Sequence, residues 1–312
     1  MAVLHEATTL APPTARRRRR RAEAAAGYAF LSPWLIGFFA LTAGPMLASL
    51  YLAFTDYNLF ASPEWVGLDN FTTLFSDPRF RQSAQVTGLY VLVGTPVKLA
   101  AALAVAMLLN NRRRGQGLYR SVFYAPSLIG ASVSIAIVWK AMFIDRGIVD
   151  EIGRTIGVDW GGWVGNPDMT MPMFVLLTVW QFGAPMVIFL AGLKQIPAEL
   201  YEAAAVDGAG PVRKFWKITL PMLSPVLFFN LLLETIHSFQ IFASAFIISG
   251  GTGGPAGSTL FYTLYLYQRG FQDFRMGYAS AMAWVLVVVV GLVTLVFFRS
   301  SRLWVHYSGE AK

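Results

Sequence analysis

The chain of 312 residues contains no cysteine and three widely separated histidines, His5, His237 and His306. Without a thiol it has no disulfide, no thiolate metal site and no cysteine nucleophile. Histidines so scattered offer none of the close spacings from which structural metal sites are built. Charge is scarce too. Asp, Glu, Lys and Arg make up 13% of the residues, about half of the roughly 25% usual in a soluble domain. No G-x-x-x-x-G-K-[ST] phosphate loop, dinucleotide fingerprint, metalloprotease helix or nucleophile elbow occurs. The glycine-rich stretch SGGTGGPAGST at 249–259 lacks the Gly-Lys-Ser/Thr ending and reads as a flexible turn. No catalytic residue, bound cofactor or metal is expected in the chain.

What the chain does have is apolar sequence. Hydrophobic residues are 55% of the total and mean hydropathy is +0.52. Segments near 28–53, 84–109, 120–144, 169–193, 221–249 and 276–298 are each long enough to cross about 30 Å of hydrocarbon, which takes about 20 helical residues. The expected fold is therefore all-α, a polytopic membrane protein of six transmembrane helices. The first apolar run is too long for a cleaved leader and reads as a span. Residues 1–27 are expected to be an arginine-rich tail without regular structure, 28–299 the membrane domain, and 300–312 a short tail. The +8 net charge needs no nucleic acid to explain it. Of 25 Lys and Arg, 17 fall in the N-terminal tail, the 110–120 turn, the 194–217 loop and the C-terminal tail, which puts both termini in the cytoplasm. Arg16 to Arg21 then read as a topology anchor touching anionic lipid.

A few polar residues interrupt the apolar spans. Lys98 lies in the second, where a cation marks a cavity or a pairing partner. In the fifth, Asn230, Glu234, His237 and Ser238 share one helical face by their spacing of three and four. Such a stripe must face protein or water, so it is either a solute pathway or interhelical hydrogen bonding. Gln181 with Gly183 and Pro185 suggests a break in the fourth span. Outside the spans, Asp69 is expected to cap a short helix carrying Phe71, Leu74 and Phe75, stopped by Pro78, and Trp160 and Trp163 to anchor the membrane interface.

The most informative stretch is polar and lies between two spans. Residues 202–221 read EAAAVDGAGPVRKFWKITLP. A first helix from Pro197 to Asp207 should end at Gly208 in a left-handed cap, and Pro211 should open a second helix with Val212, Phe215 and Trp216 on one face. A helix–glycine–helix elbow of this kind suits docking onto a soluble partner. Its spacing, Glu202-Ala203-Ala204, three residues, Gly208, nine residues, then Ile218-Thr219-Leu220-Pro221, resembles the signature of binding-protein-dependent ABC transporter permeases. The segments 55–80, 247–259 and 271–284 are similar to the sugar branch of that family (maltose- and glycerol-3-phosphate-type, first permease of an unlike pair), and the likeness covers about residues 28–299.

The resemblance implies a cell-membrane permease subunit that moves a sugar or related polar solute delivered by an external solute-binding protein. It also implies a second six-span permease and two cytoplasmic ATP-binding subunits that hold ATP and magnesium. Residues Glu202, Ala203, Ala204, Asp207, Gly208, Phe215, Ile218, Leu220 and Pro221, in a coupling loop of about 195–220, would dock the ATPase. Lys98, Asn230, Glu234, His237 and Ser238 would be candidates for the solute path. Two rival readings stand beside this one. An ion-coupled secondary transporter or channel would use Lys98, Glu234 and His237, and a membrane enzyme would use Glu234 and His237 as acid and base. Within the family, polyamine, phosphate or amino acid is an alternative cargo.

Overall fold

The computed structural model describes residues 13–110, 116–130 and 132–306. The expectations placed on 1–12, on the arginines at 112–114 and on 307–312 lie outside the described residues. The described chain is helical apart from turns and one isolated bridge between Thr55 and Trp65. It divides into two units, 1–52 and 53–312.

The first unit holds α1 (Pro13–Phe38), a π-helical turn (Phe39–Ala43) and α2 (Gly44–Leu52), of which Glu23–Leu52 is long and apolar enough to span a membrane. The helix begins at Pro13, well before the expected boundary at 28, because the arginines and alanines there are strong helix formers. Its π turn has a local cause. Pro45 has no N–H to give the carbonyl of Leu41 and its ring crowds that oxygen. The widened turn, closed by Gly44 N–H to the Phe39 carbonyl, relieves both.

In the second unit, α3 (Asp69–Ser76) is followed at once by α4 (Pro78–Leu109). Asp69 is the first helical residue, not the cap; Leu68 occupies that position without a side-chain bond. Of the apolar face expected there, Leu74 is buried and Phe75 is exposed. Pro78 does more than stop α3, since it opens the next helix behind Asp77, whose carboxylate accepts from Arg79 N–H at 2.9 Å. The second span therefore starts earlier than 84. The third and fourth apolar segments are bent pairs, α5 (Gln116–Ile129) with α6 (Val133–Phe143), and α8 (Pro167–Trp180) with α9 (Gly183–Leu193), the latter bent by 47°. Between them, α7 (Ile148–Thr155) belongs to a loop in which Trp163, half-buried, packs on Phe143 with ring centroids 5.2 Å apart.

The two bends satisfy each other's backbone. Gln181 donates its side-chain amide to the Gly130 carbonyl at 3.1 Å. Ser127 donates to the Gln181 carbonyl at 2.9 Å and accepts from Ala184 N–H at 3.0 Å. A broken helix is tolerable in a membrane when its freed groups are bound in this way. A Cβ on Gly183 would sit 2.5 Å from the Phe123 carbonyl, so glycine also permits the close approach.

The chain continues through α10 (Ala198–Val206), α11 (Pro211–Lys214), a second π turn (Phe215–Thr219) and α12 (Leu220–Phe239). The expected fifth span, 221–249, is corrected at both ends. The helix runs without interruption from Pro211 to Phe239, and α13 (Ala243–Ser249) is a separate helix packed beside α6. The carbonyl freed at Ile241 accepts the Thr263 hydroxyl. Then α14 (Tyr262–Tyr267) and α15 (Met276–Trp304) complete the chain. Among the described residues, four helices are long and apolar enough to span a membrane, or six segments if each bent pair is one span. The apolar core follows α4. One cluster joins it to α9 and α12 through Leu99, Leu103, Phe189 and Leu223. Another joins it to α6, α8 and α13 through Tyr90, Phe143, Phe174 and Ile248.

Where α3 meets α4, Asp77 gathers four donors. The hydroxyls of Tyr265 and Tyr278, the latter at 2.8 Å, and Arg79 N–H bond its carboxylate, and Arg269 lies 3.5 Å away. Burial alone would raise its pKa, but these hydrogen bonds and the guanidinium outweigh burial and hold it below the ordinary value of 3.8. A depressed carboxylate contributes stability above its unfolded pKa and loses it as pH falls through the folded one. The melting temperature of the wild type is therefore expected to exceed that of Asp77→Asn at neutral pH, with the gap closing as pH falls below 3.8. A gap independent of pH would remove the carboxylate charge from the account.

Candidate functional site

Two places bring the expected site residues together. The first is the elbow. α10 ends in a full Schellman motif: Ala209 N–H bonds the Ala204 carbonyl at 2.8 Å, Gly208 N–H bonds the Ala205 carbonyl at 3.0 Å, and Gly208 takes φ +72°. Pro197 is the residue before α10 and not its first. No residue of α10 is buried. Glu202, Ala203 and Asp207 are exposed, and Ala204 is half-buried. Val206 is 89% and Trp216 is 60% exposed, so the elbow presents apolar surface alongside its charges. Ala204, Asp207 and Ile218 line a small hollow of about 200 Å³ with Arg213, Lys214 and Lys217.

The second arm differs from a short separate helix. Through the π turn, where Leu220 N–H bonds the Phe215 carbonyl, it runs directly into α12. Pro221 stands two residues after this turn as Pro45 does after the first, and for the same reason. Phe215 and Ile218 pack against the core formed by α4, α9 and α12, so they anchor the elbow instead of forming its outer face. Leu220 and Pro221 are half-buried at the start of α12. Tyr201, which the sequence reading missed, ties the arms together with a 2.9 Å hydrogen bond to Thr219. Tyr201→Phe is expected to cost about 1 kcal/mol, and a double-mutant cycle with Thr219→Val, read by thermal unfolding, should recover that amount as coupling.

The second place is a cavity of about 400 Å³ between α4, α8 and α12. Lys98 and Glu234, both buried, form an ion pair in its wall at 2.6 Å, and Thr95 and Ser238 are 3.0 Å apart. Glu234, His237 and Ser238 line the cavity. Asn230 is not among its lining residues; its amide donates to the Val226 carbonyl of its own helix at 3.1 Å. Tyr90, Thr178 and Gln181 also line it, Tyr90 and Thr178 being hydrogen-bonded to each other. Thr87, Tyr90, Gly94 and Lys98 recur at helical spacing on α4, a signal that would have found Tyr90 had α4 been read for its polar face as α12 was. Among the described residues no group of His, Asp or Glu is placed to hold a metal ion.

Residues 98–305 match the family described as binding-protein-dependent transport system inner membrane component. The chain is 52% identical over 287 residues to the probable ABC transporter permease protein YesP of Bacillus subtilis (strain 168), covering 91% of this chain and 93% of that one. It is 31% identical to the lactose transport system permease protein LacF of Rhizobium radiobacter, covering 88% and 94%. The fold matches a chain of a bacterial ABC transporter that imports alginate, with a TM-score of 0.76 at 24% identity, covering 92% and 98%. These matches remove the channel, secondary-transporter and membrane-enzyme readings. The chain belongs to the binding-protein-dependent inner membrane components, the multi-pass permease subunits of ABC importers, which work with a solute-binding protein and with the ATPase subunits that bind and hydrolyse ATP.

Proposed function

We propose that this permease carries a sugar, that it pairs with a second, unlike six-span permease, and that the elbow docks each ATP-driven movement onto the spans from the cytoplasm. The observation that carries this reading is the elbow itself. The full spaced signature lies on an elbow whose capped first helix has no buried residue and whose second arm is continuous with a span lining the cavity. Glu202 supplies an anion for a partner cation, Ala203 and Ala204 keep the face small, and Asp207 and Gly208 set the turn. Closure of the ATPase pair would press the elbows together and turn the spans outward, and hydrolysis would reverse the movement. Both termini are assigned to the cytoplasm by the Lys and Arg distribution.

Sugar is favoured over polyamine, phosphate or amino acid by the names of the relatives. Relatives at 29–31% identity include permeases for lactose, starch degradation products, arabinooligosaccharides and sulfoquinovosyl glycerol, and others at 31–32% are permeases for sn-glycerol-3-phosphate. The testing experiment is a mild-detergent purification of the tagged chain from its native membrane, followed by identification of what accompanies it and by saccharide-stimulated ATPase measurement. A second permease and an ATPase, with turnover raised by a saccharide-loaded binding protein, is the expected result. Isolation of a homodimer would overturn the unlike pair, and stimulation by a non-sugar alone would overturn the substrate class.

A further inference from the structure

The cavity contains two side chains of fixed charge, Lys98 and Glu234, and each is spent on the other. We propose that Glu234 is a charge filter for the transported solute: by occupying Lys98 it makes the cavity favour saccharides without fixed charge over saccharides bearing a carboxylate or phosphate. This rests on the reading of the cavity as part of a sugar path.

The argument is electrostatic. An unpaired ammonium in a site screened from water attracts anions strongly. With a carboxylate 2.6 Å away, that attraction is cancelled at its source. An acidic saccharide that reached the remaining hydrogens of Lys98 would set its anion beside the carboxylate of Glu234, and like charges so close in a site screened from water repel; displacing Glu234 instead would leave a buried carboxylate unpaired, which is costly. A neutral saccharide meets no such obstacle. The ammonium has three hydrogens and the carboxylate two oxygens, and the contact between them uses one of each. The remainder can bond hydroxyl groups. Thr178, Gln181 and Gln240 add uncharged donors and acceptors, and Leu177, Ile241 and Phe242 offer apolar surface to the C–H faces of a sugar ring. A pair serving only to hold α4 to α12 would need no cavity beside it.

The test uses the assembled importer in lipid nanodiscs, with cellobiose and cellobiouronic acid as probes and isothermal titration calorimetry as the readout. The wild type is expected to bind cellobiose more tightly than the uronate. Glu234→Gln keeps a hydrogen-bond acceptor for Lys98 and removes the charge. It should move the affinity ratio toward the uronate by about tenfold, equivalent to about 1.4 kcal/mol. Lys98→Met should move the ratio the other way, and it decides the matter if Glu234→Gln does not assemble. The exchanged pair Lys98→Glu with Glu234→Lys should leave the ratio near the wild-type value. Unchanged ratios in the single variants, or a wild type that prefers the uronate, would overturn the filter and leave sugar transport standing. A wild-type complex that binds neither probe, nor any saccharide its binding protein delivers, would overturn the sugar reading and the filter with it.

Discussion

Gly208→Val is expected to reach the membrane in normal amount and to lose at least about tenfold in solute uptake. Gly208 holds φ +72°, and a Cβ added there meets nothing within 4 Å, so the whole penalty is backbone strain. A left-handed residue with a side chain costs roughly 1–2 kcal/mol, and more when that side chain is β-branched. One or two kcal/mol is a factor of about 5–30 in a conformational ratio. The Schellman bonds of Ala209 and Gly208 then compete with an unwound cap. The spans do not depend on that cap, because their cores lie in α4, α9 and α12. Quantitative blotting of membranes beside uptake of labelled solute separates the two effects. Asparagine, which tolerates the left-handed region, should retain more uptake than valine at this position. Equal uptake by valine, asparagine and glycine would take the elbow's turn out of the mechanism. Glu202→Ala tests the other half of the elbow: if Glu202 makes the proposed charge-assisted contact with the ATPase, a contact type worth about 1.5–3 kcal/mol, the change should weaken co-purification of that subunit.

Removing one member of the Lys98–Glu234 pair has the larger effect on stability. Lys98→Met leaves a carboxylate buried without a cation, and Glu234→Leu leaves an ammonium without an anion. Either change breaks a buried pair, which typically costs about 3–5 kcal/mol. The double variant Lys98→Met with Glu234→Leu restores neutrality with side chains of similar volume and should recover most of that loss, because a buried pair is often nearly neutral against well-packed apolar residues. Thermal unfolding of the detergent-solubilised protein provides the comparison. Two single losses that merely add in the double variant would mean that the charges do not interact.

The elements that were legible in the sequence had a local cause. Gly208 and Pro211 mark the elbow because only particular residues suit a left-handed cap and a first helical turn. Gly183 and Pro185 mark the break in the fourth apolar segment for comparable reasons. The features that were not legible have distant causes. Nothing in Gln240, Ile241 or Phe242 announces the end of α12; the break depends on Thr263 accepting the task of bonding Ile241. Gly130 reads as a helix residue until Gln181 reaches its carbonyl. Phe215 shares a helical face with Val212, yet the core of α4, α9 and α12 claims it. Of the solute-path candidates, Lys98 and Glu234 were legible as costly intramembrane charges, but only tertiary structure made them partners and left Asn230 bonded to its own helix.

The uninterrupted helix from Pro211 to Phe239 has a mechanical consequence. Its 29 residues form a rod of roughly 43 Å at 1.5 Å per residue, with the elbow at one end and Glu234, His237 and Ser238 near the other. A tilt of about 10° around its middle would carry the two ends about 4 Å in opposite directions. The π turn at Phe215–Thr219 lets proline enter this rod without snapping it. A joint at Pro221 would have let the elbow swing alone. As built, the rod has the form of a lever: under the proposed coupling, a push on the elbow would reach the cavity residues at its far end.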